Sequence, residues 1–449
     1  MSATVSDSTQ PSNMRKLAPG SSLLLVLGAL GSAGGCAETE LVGPFFVTEP
    51  VTSAAAEEDY EYDAHAAGLQ LPTTWSLVQG PVGMAIDMEG VVTWTPALVD
   101  MGDHVVEIEA TDGVRIVAQT WDLSVHQDLL MGVTYSPKGH SMTSSGEDVI
   151  DFLTTSDPWG RLIAFNSPWR DSVADAGMVP EMAEFAMDFE THLGIESAVG
   201  IGWAAADGTA DLLSDGDALD NSWSNQETRD EFLAMLTDYA GTYKPTYLFL
   251  GNEINSWYWT DPAGWSDWLS MWEECYDGIK AVSPLTMVFT VFQLERLKGL
   301  GAGTVGWTDP PHWNLVDDIV ATGKLDAIGF TSYPYFEYAT PGAIPADYYG
   351  EIAMHWDGIV IFTEIGWPAT AAAPYPGGEM DQADFVSEFL GRVETVDVEY
   401  AVWRFLHDWD GQAATPEFTD TGFRDNDASV IRLSDPLWQT EVELRERPL

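Results

Sequence analysis

Basic residues are scarce in this chain. Eighteen Lys and Arg stand against 71 Asp and Glu, a formal net charge of −53 over 449 residues. A surface this negative repels polyphosphate, which excludes nucleic acid as a partner, and it does not dock electrostatically on anionic lipid. It also makes the chain repel itself at low ionic strength, which points to adaptation to a salty medium. Cysteine is nearly absent: Cys36 lies in an N-terminal leader-like segment and Cys275 stands alone in the rest, so no disulfide framework can form in a mature chain. Cys275 falls on the apolar face of a helical run (Trp265, Trp268, Leu269, Trp272, Tyr276, Ile279) and reads as a buried small hydrophobe. The histidines His140, His312, His355 and His407 are scattered without metal-ligand spacing, so neither a metal nor a cofactor is expected. The apolar run "LLLVLGAL" (23–30) is too short for a permanent membrane helix.

What is present at the N-terminus is a secretory signal: the basic Met14-Arg15-Lys16, that apolar run, then small residues ending at Cys36. It resembles a bacterial lipobox, with Cys36 the lipidated residue, although Ala33-Gly34-Gly35 lack the usual Leu; ordinary signal cleavage is the alternative, and Met14 an alternative start. The expected localisation is secreted or cell-surface, with any membrane contact made through a lipid anchor on the bacterial outer membrane.

Residues 37–127 alternate with period two between Gly, Pro and Asp turn signals, as in "WSLVQGPVGMAID", "GVVTWTP", "DHVVEIEATDG" and "AQTWDLSV", which predicts an antiparallel β-sandwich. The same strings resemble the immunoglobulin-like modules of bacterial surface proteins, which act as spacers. Thr111-Asp112-Gly113 reads as a tight turn rather than a calcium loop, because no acidic cluster accompanies it.

From about residue 128 to 449 the texture changes. Eight short apolar runs, at 129–136, 160–167, 196–203, 246–253, 286–293, 325–333, 358–364 and 400–405, alternate with amphipathic helical stretches such as "PEMAEFAMDFETHLG" and "TRDEFLAMLTDYAG", both ending in Gly. Eight strand–helix units predict a (β/α)8 barrel, so the fold class is α/β, a TIM barrel preceded by a small all-β sandwich. A doubly wound open sheet is the competitor, but it wants a Gly-rich loop after the first strand, and "TYSPKGHS" is not one.

In such a barrel chemistry sits at the C-terminal strand ends. The fourth run ends on Asn252-Glu253 ("TYLFLGNE") and the seventh on Glu364 ("FTEIGWP"), across the barrel mouth from each other. Two convergent carboxylates among aromatics suit glycoside hydrolysis, one protonating the leaving oxygen and the other attacking the sugar carbon or activating water. A lone Glu at a strand end more often caps a helix or faces solvent. Trp257, Trp259, Trp367 and Trp403 offer flat faces for pyranose rings, and each is equally a core residue. Gln293 either reaches the site or simply ends its strand, and His407-Asp408 either borders the cleft or belongs to a loop.

The motifs "GNE", "IGFTSYPYF", "TEIGWP" and a Trp on strand eight resemble the clan A glycoside hydrolases, leaning to families 53 (endo-β-1,4-galactanases) and 17 (β-1,3-glucanases). The resemblance covers most of residues 129–410, with motif-grade matches only at strand ends. It implies a retaining enzyme with Glu253 as acid/base and Glu364 as nucleophile, and with Asn252, Tyr333 and Trp403 lining the subsite of the reacting sugar. The strand-two Arg of many clan members has no clear counterpart; Arg170 is the candidate.

The expected function is a retaining β-glycosidase, endo-acting on an extracellular polysaccharide of the β-galactan or β-glucan type and working as a monomer. The rivals are a glycan-binding surface lipoprotein that does not cleave, and a transglycosylase using the same residues.

Overall fold

The structure, a computed structural model, describes residues 43–127, 129–139, 144–169, 180–203, 212, 222–409 and 416–446. The expected signal segment with Cys36, and the residues His140 and Arg170, lie outside the described residues. The elements below belong to one compact unit, Pro44–Leu449.

The period-two runs near the N-terminus form two small sheets. In one, Gly102–Thr111 and Ile116–His126 pair antiparallel, flanked by Thr74–Gln79 and Ser53–Ala55; the other holds Tyr60–Asp63, Val91–Trp94 and Ala85–Ile86. Alternation turns Val106, Ile108, Trp121 and Leu123 of the first sheet onto Tyr60, Tyr62, Val92 and Trp94 of the second, a core separate from that of the barrel. One pairing departs from the antiparallel expectation: Ser53–Ala55 runs parallel to the end of Ile116–His126. The Asp112 carboxylate accepts from the backbone N–H groups of Gln70, Arg115 and Val114 and from the Arg115 guanidinium, which hold it well below the usual carboxylate range. That is the work of a turn.

The eight apolar runs form the eight positions of a parallel barrel. They are Leu130–Thr134, Leu162–Pro168, Glu196–Gly202, Tyr247–Leu250, a fifth position split into Met287–Phe289 and Val291–Gln293, Ile328–Ser332, Val360–Ile365 and Val398–Trp403. The first strand pairs with the last, so the open doubly wound alternative is excluded. At the fifth position Met287–Phe289 pairs with the fourth strand and Val291–Gln293 with the sixth. Thr290 sits at the break, its hydroxyl donating to the Leu250 carbonyl at 2.7 Å. Nine segments therefore make a nearly closed (β/α)8 barrel.

Along each strand alternate side chains divide between two cores. Ala164, Ala198, Phe249, Phe289, Val291, Ile361, Tyr400 and Val402 form the smaller inner cluster. Ile163, Val199, Leu248, Phe330, Phe362 and Trp403 join the larger one that includes the helices. Helix Glu181–Leu193 ends on left-handed Gly194 as its sequence predicts. Helix Gln226–Tyr243 instead passes through Gly241 and stops on left-handed Lys244. Cys275 is buried on helix Trp265–Val282 beside Trp268, Met271, Trp272 and Ile279, and burial pushes its thiol up, which fits the inert reading.

Candidate active site

The fourth strand ends at Leu250, and two backbone turns then aim its acid. Gly251 takes φ +77; a Cβ there would lie 2.5 Å from Ile254 Cγ2 and 2.6 Å from Trp203 Nε1, so only glycine fits. Glu253 itself is left-handed at φ 54, ψ 47, a conformation that costs a side-chain-bearing residue about 1–3 kcal/mol. It stands at the start of helix Ile254–Thr260, yet its side chain makes no capping bond. Its Oε1 instead accepts from the Thr331 hydroxyl at 2.7 Å. The capping role open to a lone Glu at a strand end is thus not the one taken.

The seventh strand delivers Glu364 by a bulge. Phe330 pairs with Phe362 but Thr331 pairs with Glu364, so Thr363 is an extra residue. Strict alternation from inward Ile361 and outward Phe362 would send Glu364 outward; the bulge returns it to the inner face beside Thr331. The same threonine therefore donates to one acid and is register partner to the other.

Glu364 is 2% exposed and surrounded by donors. Asn166 Nδ2 donates to Oε1 at 2.8 Å, Tyr333 Oη donates to Oε2 at 2.5 Å, and Asn252 Nδ2 lies 3.5 Å from Oε1. Arg404 forms an ion pair with Oε2. Both of its oxygens therefore act as acceptors. Glu253 differs: burial first, and then the charge of Glu364, raise its pKa from 4.5 to about 7 against the pull of Thr331 and Arg404. Burial opposes the charge on Arg404, but Glu364, Tyr333 and Glu253 outweigh it and push the guanidinium above its ordinary value.

The cation paired with Glu364 thus comes from just past strand eight, not from strand two. Arg404 was legible as a lone cation inside the apolar "YAVWRF", and Asn166 as the polar end of "GRLIAFNS"; neither was read as a site residue. Glu295 was also missed. It is fully buried, and its carboxylate accepts from Gln293, Ser332, Tyr333 and Tyr348.

The structure brings Asn252, Glu253, Tyr333 and Glu364 together and places the other expected residues elsewhere. Trp403 points outward, stacked on Phe423 at 4.6 Å with its indole N–H donating to the Thr421 carbonyl at 2.9 Å, because it alternates with inward Val402 and Arg404. Trp367 is fully buried between Tyr335 and Phe385. Trp257 packs edge-on against Trp203 at 4.9 Å in a cluster with Trp223 and Trp268. These three are core. Trp259 keeps a partly open face beside His312, at 4.3 Å. Gln293 ends its strand: its Oε1 accepts from Arg296 N at 2.6 Å and its Nε2 donates to Glu295 at 2.6 Å. His407 is buried against the Ser136 carbonyl, and Asp408 is paired with Arg432, so both support the loop rather than the cleft.

Next to Glu364 opens a cavity of about 580 Å³, lined by Tyr135, Phe165, Asn166, Arg404, Phe405 and Trp409 among others. Two of its polar groups, Asn166 and Arg404, also hold Glu364, while neither Glu253 nor Glu364 is among the residues that line it.

No family model and no curated protein matches the sequence. Among solved structures the chain is similar to an exo-β-1,4-mannosidase from Opitutaceae bacterium strain TAV5, with TM-score 0.52 and 12% identity over 71% of this chain and 60% of that one. It is also similar to a β-glucuronidase from Dictyoglomus thermophilum (TM-score 0.45, 10% identity, 86% and 66% covered). A GH2 β-galacturonidase from Eisenbergiella tayi gives TM-score 0.46 and 12% identity, with 91% and 73% covered. The chain thus spans 60% of the length of the mannosidase, and at this identity the likeness is one of fold.

Proposed function

We propose that this protein is a retaining β-glycosidase, with Glu364 the nucleophile and Glu253 the acid/base. The observation that carries the reading is the pairing of two unlike carboxyls. One sits among donors to both of its oxygens, and the other has a pKa of about 7 because of burial and the first one's charge. Proton donation to the glycosidic oxygen needs the second, and attack on the anomeric carbon needs the first. Asn252 supports the reading further. Its amide N–H faces Glu364 while its buried Oδ1 meets no donor among the described residues. The sugar hydroxyl beside the reacting carbon supplies one.

The chemistry then runs in two steps. Glu364 forms an ester to the sugar while Glu253 gives its proton to the departing oxygen; Glu253 then takes a proton from water, which displaces Glu364 with net retention. Arg404 and Tyr333 hold the attacking oxygen, and the aromatic cavity over Asn166 and Arg404 receives the sugar. The substrate is an extracellular β-linked polysaccharide cut internally, of the galactan or glucan type, and the protein is a secreted or lipid-anchored monomer whose residues 37–127 serve as a spacer.

A screen on β-galactan, β-1,3-glucan, β-mannan and xylan with reducing-end detection tests this, followed by NMR of the first-formed anomer. Release of the β-anomer from a β-glycan is expected. First release of the α-anomer would refute retention, and no cleavage of any β-glycan would refute the hydrolase itself. Product analysis at high acceptor concentration separates hydrolysis from transglycosylation.

A further inference from the structure

We infer that Glu295, which does not face the cleft, is a positioning residue for the acid pair: its buried carboxylate clamps the backbone of Tyr333 so that the phenol meets Glu364. The inference rests on the reading of Glu253 and Glu364 as the reacting groups.

Glu295 lies in the first turn of the short helix Leu294–Leu297, just after the split fifth barrel position, and is 0% exposed. Each of its oxygens takes two donors. Oε1 accepts from the Ser332 hydroxyl at 2.9 Å and the Tyr348 hydroxyl at 2.9 Å. Oε2 accepts from Gln293 Nε2 at 2.6 Å and from the Tyr333 backbone N–H at 2.9 Å. Four donors match the roughly four lone-pair sites of a carboxylate. None of the four carries a charge; burial pushes the Glu295 carboxyl above its ordinary range, and the donors from Tyr333, Tyr348 and Ser332 pull it back toward the ionised form. A carboxylate is costly to bury in this way, and a surface glutamate or a plain apolar residue would close the barrel at less cost.

Two consequences of the arrangement reach the reacting pair. Tyr333 sits just past the sixth strand with φ −131, ψ 72, a conformation outside the strand region, and its N–H is anchored by Glu295. From there its phenol reaches Glu364 at 2.5 Å. The charge of Glu295 also bears on Glu253. Of the charges that bear on Glu253, those of Glu364 and Glu295 favour its protonated form and that of Arg404 opposes it. Glu295 thus adds to a bias that the acid/base needs.

The test is Glu295→Gln in the full chain. Glutamine keeps the volume, and the Ser332 and Tyr348 hydroxyls can turn to accept from the new amide. The expected result is a loss in kcat of about 10-fold with KM nearly unchanged, and a basic limb of the kcat/KM profile that moves to lower pH. The effect should be non-additive with Tyr333→Phe, because both act through one phenol. A second readout needs no turnover: carbon-13 NMR titration of the Glu253 carboxyl, assigned by loss of its signal in Glu253→Gln, should show a lower midpoint in Glu295→Gln. An unmoved midpoint together with additive kinetics would overturn the inference. If Glu295→Gln does not fold, Tyr348→Phe removes one donor and keeps the carboxylate; kcat should fall by less at constant KM, and an unchanged kcat overturns the inference. Should the wild type cleave no glycoside, the titration still reports on Glu295, so the two failures are distinguishable.

Discussion

The two ends of the barrel both gather acid, and they hold it differently. At the base, Asp157, Glu190, Glu196, Glu443 and Glu446 line a cavity of about 800 Å³, with Arg161 among them. Burial raises Glu190 there to about 7, the same value that Glu253 has at the mouth. The partners differ. Glu446 accepts from the backbone N–H of Met131 at 2.8 Å and of Arg161 at 3.2 Å, tying the last helix, Ser434–Arg445, to the start of the barrel. Tyr247 donates to Glu399 at 2.6 Å. These are local ties that hold elements in place. At the mouth, by contrast, side chains from strands two, six and eight converge on Glu364, and Thr331 bridges toward Glu253. A raised carboxyl marks burial; convergence of unlike partners on a second acid marks a site.

Substitutions can break this comparison. The largest effect belongs to Glu364→Gln, which should lower turnover by at least about 10⁴-fold on every substrate, since no covalent intermediate can form. Measurable burst kinetics in that variant would remove the nucleophile assignment. Next is Glu253→Ala, which should cost about 10²–10⁴-fold on natural substrates but far less on aryl glycosides with good leaving groups. Azide should restore its rate and give an adduct with the substrate's anomeric configuration. In the wild type, activity should fall as pH rises through about 7, because Glu253 must be protonated to donate; a profile flat to pH 9 would contradict this.

The base should respond in stability and not in rate. The folded-state pKa of Glu190 lies above its unfolded value, so the folded chain holds the extra proton and stability falls as pH rises from about 4.5 to 7. Glu190→Gln should therefore stabilise the protein by about 1 kcal/mol at pH 8, discounted for its partial exposure, and by nearly nothing at pH 4. Thermal melts at the two pH values check the sign. Its kcat should be that of the wild type. The smallest effect is expected from deleting residues 43–126. The sandwich has its own core and meets the barrel on the base side, where Arg445 bonds Gln127. Turnover on a soluble substrate should change by less than about 2-fold, measured alongside a melt to show that the barrel folds.

The tryptophans show where reading from sequence stops. Trp257, Trp367 and Trp403 each follow or lie within a strand-end motif, and each turned into the core. Trp403 and Arg404 are neighbours with opposite fates: the period of two gives one face to each, and nothing local says which face is the cleft. The indole joined the outer layer, where Phe385, Phe423 and Trp438 pack around it, and the guanidinium on the other face met the Glu364 carboxylate.

The amino-acid order alone determined the number and place of the barrel strands, because runs buried on both faces must be apolar along their whole length. It also determined that two of those runs end in glutamate, and that Gly251 precedes one of them. Tertiary structure decided the rest. The bulge at Thr363 that faces Glu364 inward, the left-handed turn that aims Glu253, and the arrival of Arg404, Asn166 and Tyr333 on one carboxylate all depend on register between strands far apart in the chain. A one-residue shift reverses every side chain on a strand, and that shift is set by pairing, which no stretch of sequence contains by itself.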